Sequence, residues 1–304
     1  MVTSFNFVLS VIAGSEGLPE GRLRAIREAA KAAAKLGDIE VLAADHAYDI
    51  PFSGDPKEMR AAIARVTDAD WRLDINVVAA GNRRKKLLVA DMDSTIIGCE
   101  CIDELADMAG LKPKVAAITE RAMRGELDFP AALRERVALL KGLNLEALAR
   151  VLAERVRLNR GARTLLATMR AHGASSILVS GGFTYFTRAV ALEAGFDENQ
   201  GNILIDDGTV LTGEVAEPIL GREAKLRALE DAVKRQRIDY SDTIGVGDGA
   251  NDLDMIGRSG LGVAYHAKPV VAEAAGTAIA HGDLTGLLFL QGYRVNEFVQ
   301  PQAL

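Results

Sequence analysis

The chain has 304 residues, of which 49% are hydrophobic and 26% are charged, and its formal net charge is −6. This composition is that of an ordinary globular protein, and the length predicts more than one hydrophobic core. The negative net charge and the lack of a long basic run argue against polyanion binding, so we expect no nucleic-acid partner.

Hydropathy and cysteine content narrow the class of protein further. No stretch of about 18 apolar residues occurs and the N-terminus lacks a basic segment, so we expect no membrane partner, no signal peptide and a cytoplasmic location. Cys99 and Cys101 are the only cysteines. Because two cysteines are too few for a zinc site or a disulfide framework, we interpret them as small packing residues. The four histidines are scattered without ligand spacing.

The first 84 residues are predicted to form a small α/β domain. Apolar periodicity indicates strands at 5–12, 39–44 and 71–79 and helices at 20–36 and 56–66. The polar segment GNRRKK at 81–86 is interpreted as a linker, which places the domain boundary near residue 84. The alternation of strands and helices resembles the ACT-type regulatory modules of amino-acid metabolism.

The segment KKLLVADMDST at 85–95 is the most informative stretch of the chain. Its short continuous apolar run is typical of a buried parallel strand. Asp91 and Asp93 follow this run and point to the same side if the backbone is extended, because side chains alternate along a strand. Two converging carboxylates indicate a cation site, or a pair in which one attacks and the other transfers a proton. The structural alternative is a polar strand end or a helix cap.

The remainder of the chain is predicted to form one large α/β unit with a helical insertion. The insertion spans 99–157, with helices expected at 100–109, 112–124, 130–141 and 145–155. Beyond it we expect helices at 162–171, 184–193 and 222–235, strands at 175–179, 243–246 and 261–265, and a hairpin around 206–208. This alternation predicts a doubly wound parallel sheet, whose ligands bind beyond the carboxyl ends of the strands.

Polar groups follow two further predicted strands. Ser180 precedes Gly181 and Gly182 in a predicted turn, where N–H groups without a neighbouring Cβ can approach an anion. The segment 247–252, GDGAND, carries two acids and an amide. Gly245, Gly247 and Ala250 also fit the G-x-G-x-x-A pattern of dinucleotide-binding loops, but acids would repel a pyrophosphate and about fifty residues remain after them. Lys225 is either a surface lysine or the fixed cation that phosphate transfer needs.

Taken together and in this order, these segments resemble the four motifs of the haloacid dehalogenase superfamily. The resemblance implies a Rossmann-like core at 85–98 and 158–304 with a cap at 99–157. It implies that Asp91 is the nucleophile and that Asp93 is the general acid and base. It further implies Mg²⁺ held by the Asp91 side chain, the Asp93 main-chain oxygen and Asp248. The other roles that it implies are phosphate binding by Ser180, the Gly181 N–H and Lys225, phosphate or substrate binding by Asn251, and support from Asp252 behind the metal ligands.

The insertion adds a substrate prediction. Its residues are similar to those of superfamily members that hydrolyse O-phosphoserine, with Glu100 binding the ammonium, Arg136 binding the carboxylate, and Met123 and Phe129 closing over the substrate. Arginine can bind a carboxylate in a bidentate manner. The resemblance therefore implies Mg²⁺-dependent hydrolysis of O-phosphoserine through an aspartyl-phosphate, the last step of serine biosynthesis. The structural alternatives are surface ion pairs for the two charged residues and packing within the cap for the two apolar ones.

Two other functions stay open on the sequence alone. One is a related phosphatase or phosphotransferase that acts on phosphohomoserine or phosphothreonine. The other is an amino-acid-sensing regulatory protein with an inactive core, although all the required groups are retained. A homodimer is compatible with either function.

Overall fold

A computed structural model of the chain describes residues 5–14, 16–124 and 126–300, with the side chains of Ala69 and Met123 left out of the description. In the described part of the N-terminal region, the α-helices are α1 (Glu20–Ala33) and α2 (Pro56–Ala64). Its strands are β1 (Phe7–Ala13), β2 (Lys35–Leu36), β3 (Glu40–Ala43), β4 (Ala47–Ser53) and β5 (Leu73–Ala79). They form one antiparallel sheet in the order β2-β4-β1-β5, with β3 also paired to β4. Counting β2 and β3 as one position, since both pair with β4, this is the β-α-β-β-α-β arrangement of ferredoxin-like folds.

The two faces of this first sheet have different partners. Leu9 and Val11 of β1 share a core with Ile26 of α1 and Met59 of α2. The alternate residues of the sheet, such as Val8, belong to the core of the remainder of the chain. Because successive side chains of a strand point to opposite faces, both faces of this sheet are covered, one by its own helices and one by the larger unit.

The larger unit is built on a second sheet of six parallel strands. Its strands are β6 (Leu87–Ala90), β7 (Ser175–Phe183), β8 (Glu198–Asn202), β11 (Thr243–Gly247), β12 (Leu261–Tyr265) and β13 (Ala278–Ile279), and a separate hairpin is formed by β9 (Leu204–Asp206) and β10 (Leu211–Val215). The order in the sheet is β13-β12-β11-β6-β7-β8. The predicted doubly wound parallel sheet is therefore confirmed, with β6 at its centre.

Helices follow and cover the strands of the second sheet. Four precede β7 as an insertion, α3 (Cys101–Met108), α4 (Lys112–Met123), α5 (Phe129–Ala138) and α6 (Leu145–Glu154). The others are α7 (Ala162–Ala171), α8 (Thr184–Ala194), α9 (Arg222–Gln236), α10 (Leu253–Arg258), α11 (Pro269–Ala275) and α12 (Gly286–Leu290). Leu88 of β6 packs into a core with α7 and α8, whereas Val89 packs with α9 and α10. Alternation along β6 thus explains its continuous apolar sequence.

The inserted helices are joined to the β9–β10 hairpin. The amide of Leu211 donates to the carbonyl of Leu143 at 2.9 Å, and the amide of Gly142 donates to the carbonyl of Leu211 at 2.8 Å. Arg134 of α5 also pairs with Glu217 just beyond the hairpin. Although the hairpin follows the insertion by about fifty residues, it packs as part of the same layer.

The segment 81–86, predicted to be a linker, is fixed between the two sheets. Arg83 pairs with Asp49 of β4, and its guanidinium donates to the carbonyls of Phe289 and Leu290 at 3.1 Å and 3.0 Å. Nearby, Asp74 of β5 accepts hydrogen bonds from three successive backbone amides at 280–282. These charge-assisted contacts dock the first sheet on the larger unit. Among the described residues, no helix is both long and apolar enough to cross a membrane.

Candidate active site

A cavity of about 170 Å³ opens at the carboxyl ends of the three central strands of the second sheet. Asp91 directly follows β6, Ser180 lies in β7, and Asp248 directly follows β11. Because β7, β6 and β11 are neighbours in the sheet, these side chains converge at one edge. The lining comprises Asp91, Asp93, Glu100, Ile102, Phe129, Leu133, Arg136, Ser180, Gly181, Gly182, Phe183, Lys225, Asp248 and Asn251.

Asp91 is buried in a network with one lysine. Its Oδ1 accepts a hydrogen bond from the Met92 amide at 2.8 Å, and its Oδ2 lies 2.8 Å from the Nζ of Lys225. Lys225 also contacts the Oδ1 of Asp252 at 2.6 Å and is only 2% exposed. Burial disfavours the charged ammonium, but the charges of Asp91 and Asp252 outweigh this effect and raise the pKa of Lys225. The lysine is therefore a permanent positive charge beside the Asp91 carboxylate.

Asp93 is fixed through both of its carboxyl oxygens. The Cys101 amide donates to Oδ1 at 2.9 Å, and the Ser180 hydroxyl donates to Oδ2 at 3.0 Å. Burial raises the pKa of Asp93, although these hydrogen bonds oppose the shift. A carboxyl group with a raised pKa is suited to donating a proton near neutral pH.

Three carboxylates lie close enough together to bind one cation. Ligand oxygens of Asp91, Asp248 and Asp252 lie within 4.8 Å of one another. Burial raises the pKa of Asp91 well above its ordinary value, with the charge of Asp252 adding to the shift and that of Lys225 opposing it. Burial followed by the charge of Asp252 likewise raises the pKa of Asp248. This excess of negative charge and the oxygen-only donor set fit a hard divalent cation.

Two glycines, Gly182 and Gly247, leave room for the carboxyl groups of Asp93 and Asp252. A Cβ on Gly182 would lie 2.8 Å from the Oδ2 of Asp93 and 3.0 Å from the Oγ of Ser180. A Cβ on Gly247 would lie 2.2 Å from the Cγ of Asp252.

The predicted turn at 180–182 is wrong, because these residues continue strand β7. The Gly182 amide still points into the site, where it donates to the Ser180 Oγ at 2.8 Å.

Glu100 and Arg136 lie where the inserted helices line the cavity, Glu100 directly before α3 and Arg136 in α5. The hydroxyl of Ser94, a residue with a φ of 57°, donates to the Oε1 of Glu100 at 2.7 Å. Glu100 lines the open cavity, so it is solvent-accessible although protein atoms surround it. This surrounding protein and then the charge of Asp93 raise the pKa of Glu100 to about 7. Arg136 lies in α5 and donates to the Ala132 carbonyl at 3.3 Å. The cavity thus offers one acid and one base opposite the phosphate-binding groups.

An aromatic ring connects the cap to the core. A Cβ on Gly181 or on Gly221 would lie 2.9 Å or 3.1 Å from atoms of the Phe129 ring, so these glycines admit the ring. The ring is 36% exposed. Met123 ends α4, and its side chain lies outside the described residues. Phe129 is therefore placed at the mouth of the cavity.

The structure brings together the residues that the sequence singled out. Every predicted site residue lines the cavity except Asp252, which lies behind it against Lys225, and Met123, whose side chain is not described. The sequence alone did not predict the Thr95 hydroxyl, which donates to Asp248 at 3.1 Å, or the Ser94 hydroxyl, which donates to Glu100. Their position directly after Asp93 was the available signal. It also missed the apolar wall formed by Ile102 and Leu133.

This fold and these motifs define the class of protein. Residues 88–256 match the family of haloacid dehalogenase-like hydrolases, and the chain belongs to that family. Over 210 residues it is 47% identical to the phosphoserine phosphatase of Polaromonas sp., covering 67% of this chain and 89% of the relative. It is 41% identical over 237 residues to the phosphoserine phosphatase of Archaeoglobus fulgidus, covering 77% and 68%. The unliganded structure of the probable phosphoserine phosphatase of Vibrio cholerae superposes with a TM-score of 0.77 at 31% identity, covering 96% of this chain and 88% of that chain.

Proposed function

We propose that this hydrolase converts O-phosphoserine into serine and phosphate. The single observation that supports this most is that Glu100 and Arg136 line the same small cavity as the four-motif phosphate site. Phosphoserine carries an ammonium and a carboxylate as well as its phosphate, so its three charged groups have partners of opposite sign in one cavity. The relatives named above carry the same activity in their names.

In the first half-reaction, an oxygen of Asp91 attacks the phosphorus and the bond from phosphorus to the serine oxygen breaks. Asp91 lies 2.8 Å from Lys225, whose positive charge favours the ionised carboxylate and offsets charge that develops on the phosphoryl oxygens. The Ser180 hydroxyl and the Gly181 amide bind those oxygens, and Asn251, which lines the same cavity, binds the phosphate or the serine. The product of this step is an aspartyl-phosphate on Asp91 and a free serine.

Asp93 moves the proton in both half-reactions. In its protonated form it gives a proton to the leaving serine oxygen, which its raised pKa favours. The resulting carboxylate then takes a proton from the water that attacks the aspartyl-phosphate, which restores Asp91 and releases phosphate. The Cys101 amide and Ser180 hold the carboxyl group in place for both transfers.

We further propose that the acidic cluster holds Mg²⁺. Asp91, Asp248 and the main-chain oxygen of Asp93 would bind it, with Asp252 positioned to orient Lys225. When bound, Mg²⁺ would neutralise charge between the nucleophile and the phosphate.

We also propose that the chain consists of an N-terminal domain at 1–84, a core at 85–98 and 158–304, and a cap at 99–157. In this proposal the enzyme acts in the cytoplasm, in the last step of serine biosynthesis. We further propose that the protein forms a homodimer, which gel filtration would test through its apparent mass.

Phosphate release from a panel of substrates tests the substrate. Phosphoserine, phosphothreonine, phosphohomoserine and a sugar phosphate would each be assayed with Mg²⁺ and after treatment with a chelator. We expect the highest kcat/KM for phosphoserine, little release from the sugar phosphate, and loss of activity on chelation that Mg²⁺ restores. A preference for phosphohomoserine would assign the alternative phosphatase, and no release from any substrate would favour a regulatory protein.

A further inference from the structure

A second cleft lies between the first sheet and the larger unit. Its volume is about 330 Å³, against about 170 Å³ for the catalytic cavity, and none of their described lining residues is shared. Gly14 and His46 of the N-terminal part line it together with residues of the larger unit, the first of which is Asn159. A Cβ on Gly14 would lie 3.4 Å from the Cβ of His281, so the two parts of the chain are in contact here. The cleft has room for a small molecule apart from the catalytic site.

Three of the four histidines of the chain line this cleft together with one arginine. His46 directly precedes β4, His266 directly follows β12, and His281 lies two residues after β13. Arg160 lies two residues before α7. The fold therefore brings together histidines that are far apart in the sequence. In the described part of the chain, the acidic cluster of the active site is the one group whose ligand atoms lie close enough to bind a metal ion, so the histidines do not form a metal site.

The cationic groups of the cleft are available to a ligand. Within residues 5–14, 16–124 and 126–300, none of the salt bridges involves Arg160 or the three histidines. Arg160 and His266 are exposed, and His46 and His281 are half-buried. The Nε2 of His266 donates to the Gly282 carbonyl at 2.8 Å, which fixes the ring and leaves Nδ1 as its other polar atom. When protonated, this Nδ1 is a further donor.

Two acids lie near these groups, and both already accept hydrogen bonds from the protein. Asp74 is 4% exposed and accepts from the backbone amides at 280–282. Asp283 accepts from the amide and the hydroxyl of Thr285 at 2.8 Å and 2.5 Å. These donors partly offset the negative charge of both carboxylates, which leaves the Arg160 guanidinium for a ligand.

The charge of the cleft depends on the protonation of its histidines. Burial lowers the pKa of His46, and the charges of Asp283 and Asp74 oppose this shift. Burial also raises the pKa of Tyr265 to about 12, so its phenol stays protonated and is a neutral donor. An anion beside an imidazole favours the protonated form. Binding of an anion is therefore coupled to the uptake of protons by the histidines.

We propose that this cleft is a binding site for a small dianion, a phosphate monoester or a dicarboxylate, which Arg160 and the three protonated histidines hold. Arginine binds either kind of oxyanion in a bidentate manner, and each imidazolium adds a charged donor. Since His46 belongs to the N-terminal part and Arg160 to the larger unit, the bound dianion contacts both and stabilises their docking. The site is separate from the proposed phosphatase reaction and does not rest on it.

Isothermal titration calorimetry with sulfate, in the absence of Mg²⁺, tests the site. Sulfate is a dianion at both pH 6 and pH 8, so a change in its affinity reports titration of the protein. We expect binding at pH 6 that weakens about tenfold or more at pH 8, since the histidines lose their charge as the pH rises. Titrations in buffers with different heats of ionisation should show net proton uptake. Absence of binding at pH 6, or binding without proton uptake, would overturn the proposal.

Substitutions separate this cleft from the catalytic phosphate site, to which sulfate can also bind. Arg160→Ala should weaken sulfate binding at pH 6 about tenfold or more, because a charge-assisted contact is lost. Arg163→Ala is the matched control, since Arg163 pairs with Glu193 at the surface. His281→Gln should lower the proton uptake, and it decides the matter if Arg160→Ala does not fold. Sulfate affinity that is unchanged in Arg160→Ala, or proton uptake that is unchanged in His281→Gln, would contradict the assignment.

Succinate and methyl phosphate distinguish the two kinds of dianion. Each would be titrated at pH 6 into the wild-type protein and into Arg160→Ala. Binding of methyl phosphate that depends on Arg160 would assign a phosphate ester, and such binding of succinate would assign a dicarboxylate. If neither depends on Arg160, the cleft is not a site for these molecules and the proposal fails. These measurements follow binding alone, so their result stands whichever phosphoester the enzyme hydrolyses.

Discussion

At the level of single residues, the carboxylates of the site differ in the groups that they contact. Asp91 faces Lys225, Asp93 is held by neutral donors, and Asp248 accepts from Thr95. In the proposed mechanism these neighbouring acids serve as nucleophile and proton carrier, since Lys225 pairs directly with Asp91 whereas an amide and a hydroxyl hold Asp93. We propose that substrate selectivity rests on two other residues that line the cavity, Glu100 and Arg136, and each gives a prediction.

Arg136→Ala should raise the KM for phosphoserine by about 10- to 100-fold, because a charge-assisted bidentate contact to the carboxylate is lost. The KM for phosphoethanolamine, which has no carboxylate, should change little. Arg134→Ala is the matched control, since Arg134 lies in the same helix but pairs with Glu217 at the surface. Steady-state kinetics decide the matter, and equal effects on both substrates would remove Arg136 from carboxylate binding.

Selectivity should depend on pH through Glu100. Its pKa is raised to about 7, so the carboxyl is ionised above this pH and becomes protonated and uncharged as the pH falls through it. The KM for phosphoserine divided by that for phosphoglycolate, which lacks an ammonium, should therefore rise about tenfold from pH 8 to pH 6. The phosphate groups of both substrates titrate alike, so the ratio isolates Glu100. Glu100→Gln should flatten this ratio, and a ratio that keeps its pH dependence in this variant would contradict the assignment.

Gly182→Ala should lower kcat by about 100-fold with a smaller effect on KM. The new Cβ would lie 2.8 Å from the Asp93 Oδ2, which forces the proton carrier out of position. Gly257→Ala in α10 is the control, because nothing lies within 4 Å of its Cβ position. Kinetics of the two variants at saturating phosphoserine provide the test. Unchanged kcat in Gly182→Ala would show that the site tolerates displacement of Asp93.

At the scale of elements, apolar periodicity predicted the core and failed where tertiary contacts define a strand. The helix at 162–171 and the strand at 261–265 have the bounds that the sequence predicted. β4 was missed because Asp49 and Pro51 interrupt its apolar pattern, yet Asp49 is neutralised by Arg83, a partner that lies far along the chain. β8, with sequence ENQGN, was missed because it is a polar strand at the edge of the described sheet, where its partner is β7.

In the site, too, features that depend on tertiary contacts could not be predicted from the sequence. Motif residues that follow strands could be predicted because the carboxyl ends of parallel strands meet at one edge. The closeness of Cys101 to Asp93 could not be predicted in this way, since it depends on how the first inserted helix returns to the sheet. The close approach of Phe129 to Gly181 and of Asp93 to Gly182, which leaves no room for a side chain at either position, also depends on the tertiary structure.

At the scale of the whole molecule, the first sheet is an integral part of the fold. Asp74 is 4% exposed and accepts from the amides of Ala280 and Gly282 at 2.7 Å and 2.8 Å. Asp74→Ala should lower the free energy of unfolding by about 3 kcal/mol, because buried amides lose a charged acceptor. The exposed Asp70→Ala is the control and should change it by less than about 0.5 kcal/mol. Urea denaturation measures both, and equal values would contradict tight docking of the first sheet.

In the proposed mechanism, Asp91 attacks the phosphorus and carries the phosphoryl group as an aspartyl-phosphate. Phosphoserine and Mg²⁺ would be mixed with the protein for a single turnover, quenched in acid and reduced with borohydride, which converts an aspartyl-phosphate into homoserine. Peptide sequencing by mass spectrometry would then locate any homoserine. We predict homoserine at position 91 in the wild-type protein and none in Asp91→Asn, which should also lack turnover. Turnover without homoserine at 91, or with homoserine at 93 instead, would contradict the mechanism.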